Sequence, residues 1–275
     1  AGIILESLSG RDKGKERKFK IEAIAAGKIQ IIVGTHAVFQ ESIKYNDLRL
    51  AIIDEQHRFG VRQRMDLGNK GNAVDILVMT ATPIPRSLAL TNYGDMELSE
   101  LDEKPIGRKP INTVMVSSSR IIEVIDRLKA AIKTGNQIYW VCPLVENSEF
   151  LELTSAEDRA NKLSKVLGRD NIGLVHGKMP AEEKDKVMLD FINNKIKILV
   201  ATTVIEVGVD VPNATIIVIE HSERFGLSQL HQLRGRVGRG SDASTCLMLY
   251  EPPLGKTAKK RLEAIRETND GFKIA

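Results

Sequence analysis

Leu50-Ala51-Ile52-Ile53-Asp54-Glu55-Gln56-His57 reads as a buried strand that runs straight into two carboxylates. Four apolar residues without polar alternation suit a strand covered on both faces, the habit of a parallel sheet. Adjacent carboxylates at the C-terminal end of such a strand form the Walker B arrangement. The first sits where a magnesium ion on a nucleotide would lie, and the second can orient and deprotonate an attacking water. The same residues also fit a plainer account, in which Asp54 caps the next helix while Glu55 and His57 are simply solvated.

Working outward, similar β-branched runs recur at Gln30–Val33, Leu48–Ile53, Val74–Met79, Gln137–Val141, Ile172–Val175, Ile196–Ala201, Thr215–Ile219 and Thr245–Tyr250, and a strand-like Gly2-Ile3-Ile4-Leu5 opens the chain. Helical periods lie between them. Ile121, Ile125, Leu128 and Ile132 recur at spacings of four, three and four. Ala181–Asn193 follows Pro180 at a first helical position and places Val187, Met188, Phe191 and Ile192 on one side. Alternating runs of this kind predict an α/β fold of parallel sheets, in two lobes. Leu101–Asn112 breaks the rhythm with Pro105, Gly107, Pro110 and five charges. It reads as a linker centred on 105–110, between an incomplete first lobe at 1–104 and a second at 111–275.

Composition narrows the class. The 275 residues carry 42% hydrophobic and 28% charged residues, enough apolar surface for real cores, which excludes disorder, collagen and coiled coil. A net charge of +4 neither requires nor forbids a nucleic-acid partner, since placement matters more than the total. The apolar run Ile196–Val211 is interrupted by Lys197, Glu206 and Asp210, so no membrane helix is predicted. Cys142 and Cys246 sit in apolar strand-like segments, unlike a disulfide framework or a zinc site, and suit a reducing cytoplasm. The chain opens on a strand with no leader before it and stops without a closing helix. A piece of a longer cytoplasmic protein is therefore expected.

Further constellations carry chemistry. Thr80-Ala81-Thr82-Pro83 places two hydroxyls at a strand end, where they can link a carboxylate to a mobile second lobe, although hydroxyl residues before proline are also ordinary turn chemistry. In Gln232-Leu233-Arg234-Gly235-Arg236-Val237-Gly238-Arg239, Arg236 and Arg239 each follow a glycine and can present guanidinium forks to phosphate oxygens. A Gly-Arg loop that merely touches nucleic acid or solvent has the same residues. Ala201–Asp210 follows another strand; Thr202 and Thr203 can hold a phosphodiester, and Gly208 and Asp210 can face a ribose, or the run is a packed connection. Gly34-Thr35-His36 and His176-Gly177-Lys178 occupy matching strand ends in the two lobes, where small residues admit a phosphate chain. The basic run Arg11–Lys20 either flanks the same track or is a solvated helix face. Gly255-Lys256-Thr257 is a decoy: a phosphate loop needs glycine where Tyr250 stands, and Pro252 and Pro253 remove backbone donors. Twelve aromatics, of which Phe39, Trp140, Phe191 and Tyr250 sit in core-like contexts, predict contact mainly through phosphates, salt-sensitive and largely sequence-blind.

In this order the pieces resemble the motor of a superfamily-two helicase, with Asp54–His57 similar to motif II, Thr80–Thr82 to motif III, Ala201–Asp210 to motif V and Gln232–Arg239 to motif VI. Asp54–Val61, Met79–Arg86 and Arg224–Gly240 resemble more closely the RecG type of branched-DNA helicase. The likeness runs through essentially the whole chain. Gln56, with Leu88-Ala89-Leu90-Thr91 and Tyr93-Gly94-Asp95, favours that type over the transcription–repair coupling translocases, which typically carry Glu at the position of Gln56.

The resemblance implies two RecA-like lobes, ATP and magnesium as cofactors, and branched or forked DNA as partner. It implies Asp54 on the metal and Glu55 as catalytic base. Gln56, His57, Thr80, Thr82 and Gln232 would couple nucleotide to DNA. Arg236 and Arg239 would be fingers from the second lobe, with Gly208 and Asp210 beside the nucleotide. Gly34, Thr35, His36, His176, Gly177, Lys178, Thr202 and Thr203 would follow the DNA backbone. The family's phosphate loop and N-terminal wedge domain would precede Ala1, and its hairpin motif would follow Ala275. The chain alone is thus expected to be inactive, as part of an enzyme remodelling stalled forks and Holliday junctions in recombination and repair. A coupling translocase, an RNA helicase and a non-catalytic DNA-binding module are the alternatives.

Overall fold

The computed structural model describes residues 2–54, 70, 71, 73–80, 97–101, 103, 105, 107–143, 149–202 and 211–271; the expectations placed on Glu55, Gln56, His57, Thr82, Thr203, Gly208 and Asp210 lie outside them. The chain divides into two units, Ala1–Ala81 and Thr82–Ala275.

The first unit carries β1 (Leu5–Leu8), α1 (Gly14–Ala25), β2 (Ile31–Gly34), β3 (Leu50–Ile53) and β4 (Asp75–Val78). β1 pairs parallel with β2 and β3 parallel with β4, as two separate two-stranded sheets. β1 starts later than the apolar run Gly2–Leu5 suggested. Pairing sets its place: Gln30 and Ile31 both donate their N–H to Ile4 O, and the register then runs from Leu5↔Ile31 to Leu8↔Gly34. The expectation that these strands are covered on both faces fails here. One face packs on small cores (Leu8, Ile24, Ala37 and Ile43; Ala51 and Ile53), while Val33, Leu50 and Ile52 keep more than half their surface exposed. A two-stranded ribbon packed on one side leaves its alternate residues outward, whatever their polarity.

The second unit meets the expectation of a parallel sheet, with full burial along Gln137–Val141 and Ile198–Ala201 and partial burial toward its edges. Its elements are β5 (Asn112–Ser117), α2 (Ile121–Lys133), β6 (Gln137–Val141), α3 (Glu149–Leu167), β7 (Ile172–Val175), α4 (Ala181–Ile192), β8 (Ile198–Ala201), β9 (Ala214–Ile219), α5 (Leu227–Arg234), β10 (Thr245–Tyr250) and α6 (Lys256–Glu267). The strands form one sheet in the order β5-β10-β9-β6-β8-β7, every pair parallel. Tyr139, Val141, Leu199 and Ile217 point to one face, where Phe191 of α4, Leu230 and Leu233 of α5, and Leu262 and Ile265 of α6 cover them. Ile138, Trp140, Ile198 and Val200 point to the other, against Val124 and Leu128 of α2 and Leu163 of α3. Helix, sheet and helix make three layers, so β6 and β8 are buried at every position.

β5 is a strand that the sequence reading did not name, its first residue Asn112 falling at the end of the linker stretch. It lies at the sheet edge, with β10 as its only strand partner among the described residues, and an edge strand can keep polar residues such as Asn112 and Ser117. Pro180 stands just before α4 rather than as its first residue, since the helix opens at Ala181. Cys142 and Cys246 are buried free thiols, and burial pushes the Cys246 thiol up to about 12. No helix among the described residues is long and apolar enough to cross a membrane.

Candidate nucleotide and nucleic-acid site

In the first unit, the ladder between β3 and β4 extends one step past the strands, because Met79 N–H donates to Ile53 O at 2.8 Å. Asp54 and Thr80 are the next residues on the two strands, and both are exposed. The motif II carboxylate and the first motif III hydroxyl therefore emerge together at one C-terminal sheet edge. Ligands of open parallel sheets bind at such edges. An exposed carboxylate there is a hard oxygen donor, the kind magnesium takes alongside phosphate oxygens and water. No cluster of three or more metal-ligating side chains exists among the described residues.

The other sheet of this unit places Gly34, Thr35 and His36 at the end of β2, all exposed. Thr35 caps a 3-10 turn over His36–Phe39, closed by Val38 N–H donating to Thr35 O at 3.1 Å. Gly34 has a packing reason to be glycine. A Cβ there would stand 2.3 Å from Leu8 O and 2.4 Å from Val38 Cγ1, so only glycine lets the turn lie on β1.

In the second unit, β7 and β8 pair as far as Val175↔Ala201, so His176 and Thr202 emerge side by side. Gly177 and Lys178 are exposed, and Lys184 Nζ donates to Gly177 O at 2.8 Å, anchoring the turn to α4. His176 Nδ1 is buried and makes no hydrogen bond. Thr202 is itself buried, with its N–H donated to Val175 O, so it offers this edge packing and backbone rather than an exposed hydroxyl.

The arginine run follows α5, which ends at Arg234. Gly235 N–H donates to His231 O and Arg236 N–H to Leu233 O, continuing the turn past the helix. Val237 is buried between Arg236 and Arg239 and pins the loop to the core, leaving both arginines half-buried. Gly238 has φ +74°, which reverses the chain before Arg239, whose Nε donates to Gly235 O at 3.4 Å. Gln232 is half-buried on α5, within the same segment.

Two groups of residues escaped the sequence reading. Arg234 is almost wholly buried; its Nη1 donates to Ile265 O at 2.6 Å and Thr268 O at 2.7 Å, tying α5 to the end of α6. Its signal was the helical period, since Leu227, Leu230 and Arg234 share a face. The second group is an ion pair between Arg159 of α3 and Glu220 at the end of β9. Glu220 also accepts from Trp140 Nε1 at 2.8 Å, and the Arg159 guanidinium lies 5.3 Å from the Trp140 ring centroid. Nothing in the spacing of residues 140, 159 and 220 signals this.

Known proteins bear on the same segments. The DEAD/DEAH box helicase family model matches residues 2–91, and the helicase conserved C-terminal domain model matches residues 120–241. The ATP-dependent DNA helicase RecG of Escherichia coli (strain K12) is 54% identical over 279 residues, covering 100% of this chain and 40% of the relative. The RecG of Bacillus subtilis (strain 168) is 51% identical over 269 residues, covering 98% and 39%. A solved structure of RecG bound to a three-way DNA junction is 44% identical with TM-score 0.77, covering 100% of this chain and 36% of that one. Saccharomyces cerevisiae Dbp5 bound to RNA and ADP BeF3, at 16% identity and TM-score 0.68 over 97% of this chain and 68% of its own, shares the fold alone. The chain spans about 40% of the length of the curated relatives it matches. With both helicase models matched in chain order and RecG relatives aligned along its whole length, the chain matches a segment of the RecG type of helicases.

Proposed function

We propose that this chain is the motor segment of an ATP-dependent DNA helicase or translocase that remodels stalled replication forks and Holliday junctions in recombination and repair. The observation that carries the reading is the emergence of Asp54 and Thr80 at one C-terminal sheet edge, the place where an α/β sheet meets a nucleotide. In this reading Asp54 holds magnesium and Glu55 positions and deprotonates water. Gln56, His57, Thr80, Thr82 and Gln232 transmit the state of the nucleotide site to DNA. Arg236 and Arg239 place positive charge on the transferring phosphoryl group, an effect worth roughly 10³–10⁵ in rate when made by an arginine finger. Gly208 and Asp210 flank the nucleotide. Gly34, Thr35, His36, His176, Gly177, Lys178 and Thr203 line the DNA backbone, and the buried Thr202 contributes its backbone there rather than its hydroxyl. Magnesium ATP, when bound, supplies the phosphoanhydride whose hydrolysis drives movement. Residues 105–110 are read as the linker between two lobes, 1–104 and 111–275.

The chain by itself contains no phosphate loop in its sequence, so the grip on the β- and γ-phosphates would come from another part of a longer protein, together with a wedge domain that engages the branch. The chain alone, incubated with magnesium ATP and forked DNA, is expected to release phosphate at the background rate. Clear turnover that Glu55→Gln abolishes would overturn that expectation. In a longer protein that includes a phosphate loop, Glu55→Gln and Arg236→Ala should each remove DNA-stimulated ATPase; retention in both variants would refute the assigned roles.

A further inference from the structure

The roles above leave the basic run at the start of α1 unused. Four of its six basic residues divide into two sets, while Lys18 lies 3.9 Å from Glu22 on the helix surface. Lys20 is spent inside the fold: its ammonium lies 2.7 Å from Asp12, 3.2 Å from Glu16 and 3.5 Å from Glu6, and donates to Ser7 O at 3.1 Å. The hydrogen bond from Lys20, with a second from Ser9 N–H, holds the Asp12 carboxyl down to about 2. Arg17 donates to Ser9 O at 3.3 Å and to Gln40 Oε1 at 2.7 Å. These ties fasten α1 to the loop after β1 on one side and to the turn after β2 on the other. Because Leu8 pairs with Gly34, the start of α1 and the segment Gly34-Thr35-His36 share one sheet edge.

Lys13 and Lys15 form the second set. Both are exposed, and neither joins an ion pair among the described residues, since the nearby carboxylates converge on Lys20. They flank a helix start, where the macrodipole disfavours positive charge. That charge is unfavourable to the helix, whereas a polyanion laid along the edge would be held by it.

We propose that Lys13 and Lys15 form a cationic ledge that holds the phosphodiester backbone of DNA beside Gly34, Thr35 and His36. The ledge rests on the reading of that edge given under Proposed function, and it adds phosphate contacts from a segment outside the helicase motifs. Each phosphate contact contributes about one unit to the slope of log affinity against log salt.

The test is an anisotropy titration of labelled forked DNA with the 275-residue chain, at salt from about 50 to 200 mM, the range over which phosphate-driven binding falls most visibly. Lys13→Gln/Lys15→Gln is expected to make the slope shallower by about 2, while Lys13→Arg/Lys15→Arg keeps it. The control Lys129→Gln/Lys133→Gln removes two exposed charges from α2 and should also leave the slope unchanged. Far-UV circular dichroism should be the same for all four proteins. An unchanged slope in Lys13→Gln/Lys15→Gln overturns the ledge and leaves the DNA reading of Gly34–His36 standing. An equal drop in the α2 control also overturns it, because net charge alone would then explain the effect. Salt-independent or undetectable binding by the unsubstituted chain overturns both.

Discussion

Three arginines within six residues have two different jobs, and burial separates them. Arg236 and Arg239 stay half-exposed on a loop pinned by Val237, open to the phosphate-binding role proposed for them. Arg234 is sealed inside, and burial lowers its pKa while its guanidinium serves two carbonyls at the end of α6. Losing a buried charged donor leaves those carbonyls unsatisfied, at about 1–3 kcal/mol for each. Arg234→Met is therefore expected to destabilise the chain by about 3 kcal/mol in urea unfolding, read as a lower midpoint at constant slope. A loss under about 1 kcal/mol would show that water replaces the guanidinium. Gly238 makes the complementary case. At φ +74° an L side chain is strained, and a Cβ would meet Ile111 Cγ1 at 2.8 Å. Gly238→Ala should cost roughly 1–3 kcal/mol and shift Arg239. The sequence marked Arg236 and Arg239 through their preceding glycines. It carried no separate mark for Arg234 except the period of α5, which the dense charge of the run obscured.

At the scale of elements, the sheet of the second unit was legible because central parallel strands must be apolar throughout, so β6 and β8 stand out as uninterrupted runs. β5 was not, because an edge strand, with one strand partner among the described residues, tolerates Asn112 and Ser117. Two-sided burial was wrongly extended to β2 and β3, since an apolar run states what a strand tolerates, not what covers it. Of the candidate site, the strand-end residues were legible from motif and position, whereas the long-range tie of α3 to β9 was not. That tie has a measurable pH signature. Burial pushes the Glu220 carboxyl up, but the Arg159 hydrogen bonds and charge and the Trp140 N–H outweigh it, so the net shift is below the ordinary 4.5. A depressed folded-state pKa contributes stability above the unfolded value and loses it as pH falls through the folded one. Stability should thus drop below about pH 4.5 more steeply in the unsubstituted chain than in Glu220→Gln. At neutral pH the same substitution strands the Arg159 charge and should cost about 3 kcal/mol, the low end for a buried pair because both side chains keep some exposure. Parallel pH profiles for the two proteins would show that the pair contributes nothing on folding.

At the scale of the whole molecule, the two units differ in what holds them. Among the described residues, the second has a six-stranded sheet with a helix layer and an apolar core on each face, while the first has two narrow sheets with small cores on one side. Local opening free energy follows buried apolar contact, so amide hydrogens of β6, β8 and β9 should exchange at least ten times more slowly than those of β2, β3 and β4. The chain supplies its own reporter, since the single tryptophan, Trp140, is fully buried in the second unit. Its fluorescence follows that unit alone. If the second unit carries its own core, residues 105–275 expressed without the preceding part should melt within about 3 °C of the full chain by Trp140 fluorescence, a shift corresponding to under about 1 kcal/mol for a domain of this size. A midpoint lower by more than about 8 °C would mean that the first unit lends the second stability of several kcal/mol, and the sheet with both faces covered would not be the self-sufficient body its packing describes.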